Sequence, residues 1–172
     1  ALKVIVDKGT LTAVNVVGVE DYLLSVISSE MSASASEEFL KAHAVISRSW
    51  VMAQIAAARQ HVTGIVPEGV YNVPTLVADL DGRFNTVPYK GDGADQEYVK
   101  WYDHEDHHSF DVCADDHCQR YQGLTRATGA TVRKAIDSTW GQVLMHDGAL
   151  CDARFSKCCG GRMEIFSTCW ED

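Results

Sequence analysis

The stretch from Val19 to Met52, VEDYLLSVISSEMSASASEEFLKAHAVISRSWVM, constrains the fold more than any other part of the chain. Leu23, Leu24, Val26 and Ile27 form an apolar stripe at helical spacing, so Glu20–Ser29 is expected as a short helix. Met31–Ser36 reads as a Ser/Ala loop. Ser34, with Glu37 three residues on, is a capping-box pattern that opens a second helix reaching about Arg59. That helix carries Phe39, Leu40, Ala44, Val45, Trp50, Val51 and Ile55, with small residues at Ala42, Ala53, Ala56, Ala57 and Ala58. Apolar residues on most of its faces predict a central helix surrounded by other elements. Glu30, a lone carboxylate closing the first helix, is therefore the first candidate for chemistry. An apolar setting disfavours the charged form of a carboxyl group and so suits it to donate a proton.

Around this centre the chain reads as short strands and loops. Leu2–Val6 and Leu11–Val17 are β-branched, apolar runs separated by Asp7-Lys8-Gly9-Thr10, a hairpin signal. All the prolines (Pro67, Pro74, Pro88) fall between Gln60 and about Asp106, which is expected as a long excursion with short strands over a cleft. Thr125–Ile136 is expected as a helix, and Gln142–Met145 with Ala149–Phe155 flank Asp147-Gly148, a second hairpin signal. The sum is an α+β domain: a mixed sheet and hairpins around a long central helix, with an active-site cleft. At 172 residues one domain is expected, inserted excursion included. Both ends read as cut, so the chain is expected to be a piece of a longer protein.

Composition excludes some classes. A net charge of −9 argues against a general nucleic-acid binder, which needs a basic surface. No apolar run approaches the roughly 18–20 residues of a membrane span. Six cysteines (Cys113, Cys118, Cys151, Cys158, Cys159, Cys169) permit disulfides, and their proximity to histidines permits a metal. Cys113 and Cys118, with His117 and the upstream His107 or His108, are the donor types that Zn²⁺ takes. A Cys113–Cys118 disulfide or packed thiols are the competing readings, and Cys151 with Cys169 is a further candidate pair.

Three blocks share an order and spacing that resemble a known family. They are DYLLSVISSEM followed by EEFLKAHAVISRSW, then DVCADDHCQRYQG, then STWGQVLMHDGALCDARFS running into CCGGRM. Together they resemble the SpoIID domain, named for stage II sporulation protein D and shared with amidase-enhancer proteins of the LytB type. The resemblance covers the chain apart from the excursion.

The resemblance implies an extracytoplasmic lytic transglycosylase. It would cut peptidoglycan glycan strands, preferably peptide-free, between N-acetylmuramic acid and N-acetylglucosamine. The family's catalytic glutamate precedes Met in the first block, which is Glu30 here. Ordinary glycosidases generally use two carboxyl groups and a water. A lytic transglycosylase uses the sugar's own C6 hydroxyl, so one carboxyl group suffices as acid and then base. Leu23, Leu24, Ile27 and Met31 would supply the apolar setting. Lys41, His43, Arg48 and Ser49 on the second helix are expected at the substrate, with Gly160 and Gly161 as a turn that lets backbone approach a sugar. At the position of His43 the family usually has Gln.

Each assignment has a plainer counterpart. Arg48 suits an ion pair with Glu30 or another acid as well as a glycan. Lys41 suits a solvated helix face, His43 the core, and Trp50 and Trp140 the core rather than a sugar platform. Two rival functions also stand: a non-catalytic glycan-binding or amidase-enhancing module working with a cell-wall amidase, and a zinc-dependent hydrolase built on His107, Cys113, His117 and Cys118. A Cys/His peptidase using Cys158 or Cys159 is a more distant one.

Overall fold

The structure is a computed structural model, and it describes residues 1–63, 109–114, 118–126, 129–158 and 161. The chain divides into two compact units, Ala1–Asn72 with Asp106–Lys157, and Val73–Glu105 with Cys158–Asp172. The second unit takes in most of the excursion read from the sequence, and of it only Cys158 and Gly161 are among the described residues. The following concerns the first unit.

Strands β1 (Leu2–Asp7) and β2 (Thr10–Asn15) pair antiparallel, with Leu2 opposite Asn15 and Asp7 opposite Thr10. They turn through Lys8 (φ 46°) and Gly9 (φ 80°), a two-residue left-handed turn whose twist matches that of the strands. Helix α1 spans Val19–Glu30 and α2 spans Glu37–Thr63. The second helix is capped by Ser36 rather than by the expected Ser34. Ser36 Oγ accepts the Phe39 N–H at 3.4 Å, three residues into the turn where a cap must sit. Ser34 instead closes the loop on itself through Ser32.

Helix α3 covers Ala130–Ser138, starting five residues later than the sequence pattern suggests. A short 3-10 turn, Leu124–Arg126, occupies the expected start, and Gly129 (φ 144°) holds a backbone conformation closed to other residues. Strands β3 (Met145–His146) and β4 (Ala149–Leu150) form the second hairpin around Asp147 and Gly148, far shorter than expected. Helices with small sheets make the fold α+β. The expected mixed sheet is not present among the described residues, which hold two separate two-stranded antiparallel sheets.

The core lies where α1, α2 and α3 meet. Leu23, Val26 and Ile27 from α1, Leu40, Ala44 and Val51 from α2, and Val132, Ala135 and Ile136 from α3 are all buried in it. The α2 helix packs on α1, α3 and β4, as its apolar circumference requires. No helix among the described residues is long and apolar enough to cross a membrane.

Candidate functional site

Glu30 is the last residue of α1. The chain leaves the helix there, Met31 being extended, and the Glu30 side chain is half-buried. A segment distant in sequence, Cys118–Gly123, is tied along α1. Tyr22 donates its hydroxyl to Gln119 Oε1 at 3.3 Å. Ser25 Oγ accepts the Gln122 N–H at 3.0 Å and donates to the Gly123 carbonyl at 3.2 Å. The Arg120 backbone N–H donates to Glu30 Oε1 at 2.8 Å. Gln119, almost wholly buried, also donates Nε2 to the Ser47 carbonyl at 3.4 Å, which joins this segment to α2. The carboxyl group is thus located by backbone on a braced segment, and one of its oxygens is committed as acceptor.

Tyr22 connects Glu30 to its surroundings. Its ring stacks on Tyr121, with centroids 5.5 Å apart. Burial holds the Tyr22 hydroxyl well above the usual tyrosine range, and the nearby Cys118, Cys113, Glu30 and Tyr121 push the same way. Glu30, the two cysteines and both tyrosines therefore form one neighbourhood. Cys113 and Cys118 are thiols, not a disulfide. The Cys118 sulfur is hydrogen-bonded by the backbone and thiol of Cys113, and burial pushes its thiol up to about 12. Cys151 is also a thiol, and Cys169, its candidate partner, lies outside the described residues. His107 and His117 lie outside the described residues, as do Cys159 and Gly160. Among the described residues no group of three or more His, Cys, Asp and Glu is arranged to hold a metal ion.

The α2 residues expected at the substrate are engaged elsewhere. Arg48 is only 2% exposed. Its Nε and Nη2 hold both carboxylate oxygens of Glu20 at 2.9 and 2.6 Å, and Nη1 donates to the Gln142 carbonyl at 3.0 Å. That geometry makes Arg48 a buried ion-pair residue tying α1 to the chain after α3, and corrects the expectation of an open sugar contact. Ser49 is equally inward: it donates to the Val45 carbonyl at 2.7 Å and accepts the Leu144 N–H at 2.8 Å.

Lys41 lies on the α2 surface between Glu37 and Glu38, at 2.9 and 2.8 Å, and these carboxylates raise its ammonium above the ordinary lysine value. His43 is buried, its ring edge-on to Phe155 at 4.8 Å. Burial pushes its imidazole down to about 4, and neither ring nitrogen has a hydrogen-bond partner among the described residues. Gly161 has φ 93°, a turn conformation that favours glycine. Trp50 is buried as expected, whereas Trp140 is 66% exposed, against the expectation that it is core.

Sequence reasoning assigned no role to Tyr22, Gln119, Arg120, Tyr121 or Glu20. The first four stand in the very blocks that carried the resemblance, yet nothing in their spacing says that Arg120 acts through its backbone. Glu20 and Arg48 are 28 residues apart on different helices, a pairing that only the packing of α1 on α2 defines.

No curated protein and no solved structure matches the chain. A family model described as SpoIID, stage II sporulation protein, matches residues 7–146, from the end of β1 to the end of β3, and so takes in α1, Glu30, the tyrosine–thiol neighbourhood and α3. By that match over most of its length, the chain belongs to the SpoIID family.

Proposed function

We propose that this protein is a peptidoglycan lytic transglycosylase. It cleaves glycan strands between N-acetylmuramic acid and N-acetylglucosamine outside the cytoplasm, with Glu30 as its single acid and base. The observation that carries the reading is the setting of Glu30. It is one half-buried carboxyl group at a helix end, held by a backbone N–H, within a family associated with cell-wall lysis.

The chemistry follows from that setting. The Arg120 N–H needs an acceptor, so Oε1 stays unprotonated and the acidic proton is carried by Oε2. Oε2 gives that proton to the glycosidic oxygen as the C1–O bond breaks. The C6 hydroxyl of the same muramic acid then bonds to C1, and its proton returns to the carboxylate. No water is consumed, and the product is a 1,6-anhydro ring.

Zinc belongs to the same proposal. Two thiols in mutual contact are donors of the kind zinc takes, and Cys113, Cys118, His117 and His107 would hold it. When bound, it would supply positive charge beside Tyr22 and tie Cys118, two residues before Arg120, to Cys113. Substrate contact by Gly160 and Gly161 is also part of the proposal.

Mass spectrometry of peptide-free glycan strands, treated with the protein or with Glu30→Gln, tests the reading. Fragments ending in 1,6-anhydro-N-acetylmuramic acid with the parent alone are expected. Reducing-end products would instead favour the zinc-dependent hydrolase. Intact strands with accelerated turnover by a separate amidase would favour the enhancing module.

A further inference from the structure

Strand β2 has an open edge. The Val16 N–H donates to the Ala1 carbonyl at 2.6 Å, and the Ala1 amine donates to the Val16 carbonyl. In an antiparallel pair, bonded and unbonded residues alternate. Val14 and Thr12 therefore also turn their backbone groups to β1, while Leu11, Ala13 and Asn15 turn theirs away. None of these three makes a backbone hydrogen bond on that side among the described residues. Edges of this kind are usually blunted by proline, lysine or a bulge. Strand β2 reads Thr-Leu-Thr-Ala-Val-Asn in unbroken register and has none of these.

A cavity of about 580 Å³ lies along that edge. Residues 12–17 line it in succession, whereas β1 contributes Lys3 alone. A cavity over one face of a strand meets every second residue, so contact with consecutive ones marks the edge. Residues 109–114, Tyr22 of α1, and Val51 and Ile55 of α2 make up its other walls. Ser109 Oγ donates to Asp7 Oδ1 at 2.9 Å, and Asn15 Nδ2 donates to the Tyr121 hydroxyl at 2.6 Å. These bonds hold the hairpin near both of its ends and leave the β2 edge open between them.

We infer that this cavity is a docking slot for an extended polypeptide segment of another protein, which adds to β2 as a third strand. A peptide backbone supplies donors and acceptors at the two-residue interval, about 7 Å, at which Leu11, Ala13 and Asn15 present theirs. A sugar or a lipid has no such row. Side chains on one face of the segment meet the apolar wall of Val51, Ile55 and Tyr22. Charge narrows the partner further. Lys3 and Asp111 line the cavity at exposed positions, and neither forms an ion pair among the described residues. The segment therefore carries an acidic residue for Lys3 and a basic one for Asp111. A two-stranded hairpin is marginal alone, and Leu2, Val4, Val6 and Leu11 leave it an exposed apolar face that a third strand extends. Binding here does not depend on the role of Glu30.

Amide hydrogen exchange followed by NMR is the test, with the capped peptide acetyl-Val-Glu-Val-Lys-Val-Thr-amide as the probe. The amides of Leu11, Ala13 and Asn15 are expected to exchange fast in the free protein and to slow about tenfold or more with the peptide. Thr12 and Val14, already bonded to β1, should change little. Ala13→Pro removes an outward N–H at an edge position where proline is tolerated, so it should weaken binding about tenfold or more while the amide spectrum outside the hairpin stays as it was. Lys3→Glu, which leaves every backbone group in place, should weaken this peptide more than the same peptide with its glutamate replaced by glutamine. No protection at the three amides, protection spread evenly over all of β2, or equal affinity in the parent and both variants would overturn the slot. Protection at the three amides in the free protein would overturn it too. If that protection rose with protein concentration, the edge would belong to a second copy; if it did not, to the chain's own residues.

Discussion

Arg48→Met separates the two meanings that Arg48 can have. The guanidinium is 2% exposed and grips Glu20 through two bonds, while a third reaches the Gln142 carbonyl. Glu20 is itself mostly buried, with 13% side-chain exposure, so removing the cation leaves a carboxylate with little water to replace it. Breaking a buried pair on one side costs about 3–5 kcal/mol. At roughly 2–4 °C per kcal/mol for a chain of this size, the melting temperature should fall by roughly 6–20 °C. The pair as a whole is worth much less than either half suggests, because both ions were desolvated to make it. Glu20→Leu with Arg48→Met should therefore regain most of the loss, and a double-mutant cycle in urea should give a coupling at least as large as what is regained, about 3 kcal/mol or more. The assay is urea unfolding of the parent, each single variant and the double, run beside cleavage of peptide-free strands. An unchanged urea midpoint for Arg48→Met, with KM raised, would refute the reasoning and make Arg48 a glycan contact.

Other consequences are equally direct. Glu30→Gln keeps an oxygen for the Arg120 N–H, so its stability should stay within about 1 kcal/mol of the parent while anhydro products vanish, as unfolding curves and mass spectrometry would report. His43 has a folded value near 4 against 6.5 in the unfolded chain, so below pH 6.5 the unfolded state takes a proton that the folded state refuses. Stability should then fall between pH 6.5 and 4 by about 3 kcal/mol from this group. His43→Leu should flatten that limb in pH-dependent melts, whereas an unchanged slope would show that the imidazole is not held neutral. Gly129→Ala should cost about 1–3 kcal/mol without altering products, because a φ of 144° suits glycine alone. Cys118→Ser should abolish stoichiometric zinc, measured by atomic absorption after dialysis. Equal metal content in parent and variant would remove the thiols from the zinc proposal.

What the sequence made legible, and what it did not, divides along a physical line. Signals that act within a few residues were readable. The Lys8-Gly9 and Asp147-Gly148 turns, the start of α2 to within its cap, and Glu30 at a helix end all depend on neighbours in the chain. The errors in the helices came where one local signal overrides another. Periodicity alone extended α3 back to Thr125, but Gly129 breaks the helix because its backbone conformation is closed to a helical residue. The capping box at Ser34 satisfied a sequence rule, yet the serine nearest the first helical turn does the capping.

The same line runs through the site. Polar residues on a central helix invite functional readings, since a buried charge is costly without a purpose. In Arg48, Ser49 and His43 the structure gives α2 three different answers: an ion pair, a backbone brace and a buried imidazole edge-on to Phe155. None of the three faces open solvent, so the second helix acts on Glu30 indirectly, by fixing what surrounds α1. Gln119 is the clearest link, bonded to Tyr22 on one side and to the Ser47 carbonyl on the other. A carboxyl group that serves first as acid and then as base, with no partner carboxylate, depends on such fixed surroundings more than on extra reactive groups. Under the proposed mechanism the proton leaves from and returns to Oε2, because the Arg120 backbone N–H occupies Oε1, a bond that replacement of the Arg120 side chain by alanine keeps. Arg120→Ala should therefore leave the cleavage chemistry intact, while Gln119→Leu, which unties the segment from both helices, should lower kcat more than KM. The opposite ranking would place the Arg120 guanidinium, and not its backbone, at the reacting bond.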